Sequence, residues 1–373
     1  MIRIAISYSD FSSAKSGGAR ESLLTLLEGL SASREITADV FQTPPTDDPP
    51  ETAFDYRQYA KRLHEIPELT WTNQVFQRLQ WNNFLRKRLT TDYDVLLTQN
   101  KLAPVSVQLA AQFQIPSLFF VRSMALTGYE KYNPSISDLS NVIQTDLGGR
   151  IQYPFLRKNF NDYRSAARTA TATVANSEFT ANKLDELFGV EASVIYPPIE
   201  QERYRVSTNQ KKYITMVNPR TLYKGPDIFL DVADQLIDEL FLLVGPISSA
   251  QIRERVERTD NVTYWDWCED MRDVYSQSKL VMVPSRWEEP FGRVAAEAMV
   301  SGVPCVVSDR GGLPEVVGDT GEIVSEVESV DHWVAAVRRA LETHEPERQK
   351  DRAEKFSAER QTEKLVDLID QVT

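Results

Sequence analysis

Two carboxylates, Glu289 and Glu297, stand eight positions apart in Glu289-Pro-Phe-Gly-Arg-Val-Ala-Ala-Glu297, and two cations, Arg220 and Lys224, stand four apart in Asn218-Pro-Arg-Thr-Leu-Tyr-Lys-Gly225. Paired carboxylates can hydrolyse a glycosidic bond, but only at separations of ~5 to 9.5 Å. Eight residues of helix rise roughly 12 Å. The two acids are therefore expected to hold different hydroxyl-bearing parts of one long ligand through charge-assisted hydrogen bonds, a sugar at one end and a ribose at the other. Arg220 and Lys224 supply the complementary charge. Each can bind a diphosphate with ~1.5 to 3 kcal/mol and would stabilise the charge growing on a departing nucleotide diphosphate. A lone loop cation is ordinarily a solvated surface charge, so this chemistry rests on the pairing with the Glu289 segment.

The flanking residues must position these groups. Leu280-Val281-Met282-Val283 is short, apolar and β-branched enough for a buried parallel strand, and Pro284 ends it because proline cannot donate to a ladder. Val294 to Ser301 reads as a helix closed by Gly302. The loop between them carries Glu289 and the Phe291-Gly292-Arg293 backbone, whose amides, at a helix N-terminus, favour an anion. Tyr213 to Val217 reads as a second strand and Asp227 to Leu236 as an amphipathic helix, with Arg220 and Lys224 between. In open α/β sheets, ligands bind outside the carboxyl ends of strands, where both loops fall. A third loop contains Gly17-Gly18, after a strand Ile2 to Ile6 and before the helix pattern Leu23, Leu24, Leu27, Leu30. Its glycines permit close backbone approach. The spacings of a dinucleotide fingerprint and of a P-loop are absent, which argues against a dehydrogenase or an NTPase.

Strand and helix patterns alternate through residues 1–195 and again through 196–345, so the fold class is α/β with a parallel sheet in each half. Pro197-Pro198 is a stiff junction, and residues 346–373 form a charged segment ending in the helix pattern Leu365, Leu368, Ile369, Val372. The 373 residues are 42% hydrophobic and 26% charged, long enough for two cores. A formal charge of -12 argues against a general nucleic-acid binder. Only Cys268 and Cys305 occur, too few for a disulfide framework, so a reducing cytoplasm is expected. The N-terminus runs directly into a strand, with no apolar run long enough for a signal peptide or a spanning helix. Asp47-Asp48 and Asp266 to Asp270 lack metal-ligand spacing, and no metal site is expected.

Taken together, the three loops resemble the retaining glycosyltransferases of family 4. The resemblance covers most of the chain. It is carried by the E-x7-E run from Glu289 to Glu297, Gly302-Val-Pro-Cys-Val-Val-Ser, Gly311-Gly312-Leu-Pro-Glu315, Asn176-Ser177-Glu178-Phe179-Thr180, Tyr196-Pro197-Pro198-Ile199-Glu200 and Asp270-Met271 to Tyr275. It implies a GT-B fold, two Rossmann-like parallel-sheet domains facing across a cleft: 1–195 binding the acceptor, 196–345 the nucleotide-sugar donor, and 346–373 crossing back to the first. By the same resemblance, Glu289 holds the donor sugar's hydroxyls and Glu297 the ribose, while the amides of Phe291, Gly292 and Arg293 approach the sugar and diphosphate. Arg220 and Lys224 sit on the leaving group, and Gly17-Gly18 lie over the phosphates. No metal or other cofactor is implied.

One position departs from the family pattern. Many members follow the strand written here Ile115 to Val121 with a histidine facing the donor sugar, whereas this chain has Arg122. None of His64, His332 and His344 lies near a motif. Arg122 either positions the donor or acceptor in the cleft or pairs structurally. Asn100, at the end of the Val95 strand, and the segment Thr127 to Arg150 are further acceptor candidates. Trp267 and Trp265 either stack on a nucleobase or pack. The stretch Trp71, Val75, Phe76, Leu79, Trp81, Phe84, Leu85, interleaved with Arg78, Arg86, Lys87 and Arg88, is either core contact or a basic amphipathic face for peripheral contact with the inner face of a membrane. The expected activity is transfer of a hexose from a UDP- or GDP-sugar to a hydroxyl of a glycan, lipid-linked or small-molecule acceptor. The alternatives are a GT-B nucleotide-sugar epimerase and a donor-binding partner without turnover.

Overall fold

Short apolar strands separated by helices of roughly one to six turns can bury both sheet faces only if the helices pack on either side, and this is what the chain does. A computed structural model describes residues 1–9, 18–45, 50–129, 147–206, 211–343 and 345–373. The chain divides into two units, Met1–Tyr196 with Thr362–Thr373, and Pro197–Gln361.

In the first unit the elements are β1 (Ile2–Ser9), α1 (Gly18–Ser33), β2 (Ile36–Thr43), β3 (Asp55–Ala60), α2 (Thr70–Arg86), β4 (Val95–Gln99), α3 (Ala103–Gln112), β5 (Ser117–Val121), α4 (Leu147–Thr169), β6 (Ala172–Ala175), α5 (Glu178–Phe188) and β7 (Ser193–Val194). The strands form one parallel sheet in the order β3-β2-β1-β4-β5-β6-β7. Ile4, Ile6, Val95, Leu97, Leu118 and Phe120 bury one face against Leu23, Leu26, Leu27 and Leu30 of α1. Leu365, Leu368 and Ile369 join the same core.

α2 departs from the amphipathic reading. Arg78, expected on a solvated face, is 5% exposed. Its guanidinium donates to Lys101 O at 2.8 Å, Asp162 at 3.1 Å and Asn159, and lies 5.1 Å from the Tyr163 ring centre. Val75, Trp81, Phe84 and Leu85 are buried, leaving Phe76 and Leu79 outward, 48% and 58% exposed. The helix thus turns an arginine inward and two apolar side chains outward, because α4 presents Asn159 and Asp162 to the Arg78 position.

The second unit contains β8 (Tyr213–Val217), α6 (Pro226–Gln235), β9 (Leu240–Val244), α7 (Ala250–Arg258), β10 (Val262–Trp265), α8 (Met271–Gln277), β11 (Ser278–Val283), α9 (Arg293–Val300), β12 (Cys305–Ser308), α10 (Leu313–Val317), β13 (Glu322–Val324), α11 (Val330–Thr343) and α12 (Pro346–Ala353). Its sheet is again parallel, in the order β10-β9-β8-β11-β12-β13. Trp333 of α11 is fully buried, and its indole N–H donates to Val327 O at 2.8 Å. The last helix is α13 (Ala358–Val372), of which the residues from Thr362 onward group with the first unit and those up to Gln361 with the second. Among the described residues no helix is long and apolar enough to cross a membrane.

Candidate functional site

In the second sheet the sequence order reverses between β8 and β11, and the loops leaving the carboxyl ends of those two strands are the ones that carry Lys224 and Glu289. Such a switch point opens a crevice because neighbouring connections run to opposite faces. The loop after β8 tightens into a 3-10 turn, Leu222–Lys224. It closes at Gly225 with φ +77, where an added Cβ would lie 2.0 Å from Pro284 O. Only glycine lets the two loops approach this closely.

The approach brings the predicted groups together. Lys224 Nζ donates to Glu289 Oε1, the two side chains being 25% and 12% exposed. Ser285 Oγ donates to the same oxygen at 3.0 Å, and Ser308 Oγ donates to Ser285 O at 2.6 Å. Lys224 Nζ is also 5.7 Å from the Trp287 ring centre. The cation assigned to phosphate and the acid assigned to sugar are thus in direct contact. An ammonium has three donors, so the pair leaves N–H groups for a further acceptor. Glu289 itself precedes the helix. It bridges to Gly311, and Gly312 N donates to Glu289 O at 2.7 Å. Helical rise therefore applies only from Arg293 to Glu297 of the eight-residue spacing.

Arg220 is exposed and forms no ion pair among the described residues, while its carbonyl accepts from Ser248 N at 3.1 Å. Glu297 is 8% exposed. Tyr275 OH donates to its Oε2 at 3.0 Å and Arg293 Nε to its Oε1 at 3.1 Å. Burial, then the neighbouring Glu297 carboxylate, pushes the Tyr275 hydroxyl well above the usual phenol range, so it stays a donor. Arg293 also donates to Tyr204 OH at 3.3 Å. The Phe291 side chain is buried, 5.1 Å from the Phe356 ring and edge-on to it. Gly292 caps α9 with φ +120. Trp267 is 72% exposed after β10, and Trp265 is half-buried within it. Cys305 is buried, which raises its thiol pKa and leaves it inert.

In the first unit the order reverses between β1 and β4. Asn100, in the left-handed region at φ +66, donates from Nδ2 to Ser9 Oγ at 3.3 Å. Arg122 follows β5, donating from Nε to Gln99 Oε1 at 3.0 Å and lying 4.9 Å from the Phe120 ring centre. Its carbonyl accepts from Asn176 Nδ2 at 2.9 Å, so Arg122 joins the ends of β4, β5 and β6. Tyr8, buried at the end of β1, also meets this group. Burial raises its pKa, outweighing Asn100, Arg122, Gln99 and Arg20, all of which favour the phenolate. Gly18 opens α1 and is exposed, whereas Gly17 and most of the Thr127 to Arg150 segment lie outside the described residues.

Sequence reasoning missed three groups. Ser285 lies inside the motif but carries no role visible from residue type. Tyr204 and Tyr275, distant in sequence, reach Arg293 and Glu297 only through the fold. The Arg286 contacts to Asp227 and Glu328 likewise have no local pattern. Among the described residues, no cluster of three or more His, Cys, Asp or Glu is placed to hold a metal ion.

The chain matches the model of Glycosyltransferase Family 4 over residues 16–203, 188 of 373 residues, and that of Glycosyl transferases group 1 over 211–343. The chain belongs to glycosyltransferase family 4. Among solved structures, the family 4 chain resembles sucrose-phosphate synthase from Thermosynechococcus elongatus, with TM-score 0.78 and 20% identity over 100% of this chain and 99% of that one. It also resembles Anabaena HepE in complex with UDP-glucose, with TM-score 0.70 and 16% identity over the whole of both chains. These likenesses give its two parallel-sheet units the GT-B fold. Among curated relatives, a D-inositol 3-phosphate glycosyltransferase of Rhodococcus erythropolis is 30% identical over 44% of this chain and 44% of that protein. The spore coat protein SA of Bacillus subtilis is 27% identical over 39% and 44%. The matched stretches thus span under half the length of these two relatives.

Proposed function

We propose that this family 4 chain is a retaining hexosyltransferase that moves a sugar from a UDP- or GDP-sugar to a hydroxyl of a glycan, lipid-linked or small-molecule acceptor. The observation that carries the reading is the Lys224 to Glu289 contact at the switch point between β8 and β11. A donor entering there finds an ammonium for its diphosphate beside a carboxylate for its sugar hydroxyls. Lys224 turns part of its hydrogen bonding from Glu289 to phosphate oxygens, and Arg220, exposed on the same loop, adds a second cation as the leaving diphosphate gains charge. Together they serve where a metal serves in other transferases. Glu297, oriented by Tyr275 and Arg293, accepts from ribose hydroxyls. The amides of Phe291, Gly292 and Arg293 open α9 toward the diphosphate. Arg122 and Asn100 are assigned to the acceptor, and Gly17 and Gly18 to the phosphates, as the family resemblance implies. The bound nucleotide of HepE supports a uridine donor.

A lipid-linked acceptor has a matching surface. Phe76, Leu79 and Ile151 are 48%, 58% and 61% exposed, with Phe155 6.2 Å from the Phe76 ring. Arg86 and Arg157 are exposed on the same two helices, and Lys87 is exposed just after the first of them. This pattern fits peripheral contact with an anionic lipid surface.

The test is incubation with UDP- and GDP-sugars and an acceptor panel, followed by NMR. A product with the donor's anomeric configuration is expected. An inverted product contradicts the retaining assignment, a new sugar epimer without acceptor points to an epimerase, and donor binding without product points to a partner protein.

A further inference from the structure

Arg286 lies three residues before Glu289, and every one of its guanidinium N–H groups is engaged. Nε and Nη2 donate to Glu328 Oε1 and Oε2 at 2.6 and 2.8 Å. Nη1 and Nη2 donate to Asp227 Oδ1 and Oδ2 at 2.8 and 2.9 Å, and Nη1 donates again to Leu222 O at 2.9 Å. Its backbone N–H donates to Tyr223 O at 2.8 Å. Five bonds match the five donors a guanidinium possesses, so none is left for a phosphate. The partners bracket Lys224: Leu222 and Tyr223 precede it, Asp227 follows it in the first turn of α6.

We infer that Arg286 is the positioning residue of the donor site, fixing the Glu289 loop against the Lys224 loop so that ammonium and carboxylate meet at the switch point. It acts through those two side chains and touches no substrate. A planar fork suits this arrangement, because one guanidinium binds two carboxylates and a carbonyl, five oxygens in all, while the backbone N–H is held to a sixth. Arg286 also covers both oxygens of Asp227, a carboxylate three residues from Lys224 that would otherwise oppose an incoming diphosphate. The raised pKa of Arg286, from its bonds to Glu328 and then Asp227, agrees with a cation held by both.

This inference rests on the proposed donor site, and the experiment separates the two. Stability coupling between Lys224 and Glu289 is measured by urea-unfolding double-mutant cycles, Lys224→Met with Glu289→Gln, in wild type and in Arg286→Lys. No nucleotide is present. Coupling is expected in wild type and lost in Arg286→Lys, because lysine keeps the charge without the fork. Undiminished coupling overturns the inference whether or not any nucleotide binds. Calorimetric titration with UDP and GDP is the second readout. Arg286→Lys should bind the wild-type nucleotide at least ~tenfold more weakly at temperatures where it is folded. A lowered melting temperature with wild-type affinity would mean a merely structural role. Should Arg286→Lys fail to fold, Glu328→Gln, which alters a 70% exposed partner, carries the same cycle and titration, and wild-type values there overturn the inference. Wild type binding neither UDP nor GDP counts against the donor site and leaves the coupling result to judge Arg286.

Discussion

Replacing Gly311 by alanine should displace Glu289 without touching any charged group. Gly311 has φ +64, and a Cβ there would stand 2.1 Å from Glu289 O and 2.5 Å from Glu289 N. Ordinary contact begins at 3.4 Å, so the Glu289 backbone must move by 3.4 − 2.1 = 1.3 Å. Alanine in the left-handed region costs roughly 1 to 2 kcal/mol. Disturbing the 2.7 Å bond from Gly312 N to Glu289 O adds roughly 0.5 to 1.5 kcal/mol. A loss of about 2 to 3 kcal/mol lowers the melting temperature by roughly 5 to 10 °C for a unit of this size. A reacting group misplaced by more than ~1 Å loses on the order of a hundredfold in rate. Gly189 is the control. Its φ is +63, yet an added Cβ there meets only the Arg168 side chain, at 3.4 Å. Gly189→Ala should therefore lose only ~1 to 2 kcal/mol and no transfer activity. Differential scanning fluorimetry and a donor-turnover assay on both variants decide the matter. Equal melting temperatures and rates in the two would refute the close backbone contact between Glu289 and Gly311.

Lys224→Ala and Glu289→Ala should each slow transfer at least ~tenfold, with Lys224→Ala also weakening nucleotide diphosphate binding in calorimetry. Arg78→Met leaves Asn159 and Lys101 O without their buried donor, so urea unfolding should show a loss of about 3 kcal/mol. Burial raises the Asp39 pKa, but Arg57, Tyr93 and Arg3 outweigh it and hold Asp39 below its ordinary value of 3.8. A depressed carboxylate stabilises the fold above its unfolded pKa, and that contribution disappears as pH falls through the folded value. Melting temperature should therefore decline below about pH 4 in wild type, and less steeply in Asp39→Asn. Vesicle co-sedimentation should retain wild type on anionic but not zwitterionic lipid, and Phe76→Ser with Leu79→Ser should release it.

The central strands and the two site loops were legible because apolar runs ended by Pro284 and by Asn218-Pro219 leave little choice of structure. The edge strands were not. β3 is Asp-Tyr-Arg-Gln-Tyr-Ala, half-exposed and without an apolar face, and β13 has three residues. β2 hides its pattern behind Asp39, a buried acid to which Arg57 and Tyr93 donate from outside the strand. The Arg78 side of α2 was misread for the same kind of reason, since its partners Lys101, Asn159 and Asp162 are distant in sequence. At the candidate site, residue types pointed to Lys224 and Glu289 but not to their contact, which depends on Gly225 meeting Pro284 and on Arg286 joining the loops.

A crystal structure with a bound nucleotide diphosphate sugar tests the central claim most directly. The diphosphate is expected within hydrogen-bond distance of Lys224 Nζ and the sugar hydroxyls on Glu289, beside the ends of β8 and β11. A donor bound elsewhere, with Lys224 and Glu289 still closed on each other, would contradict it.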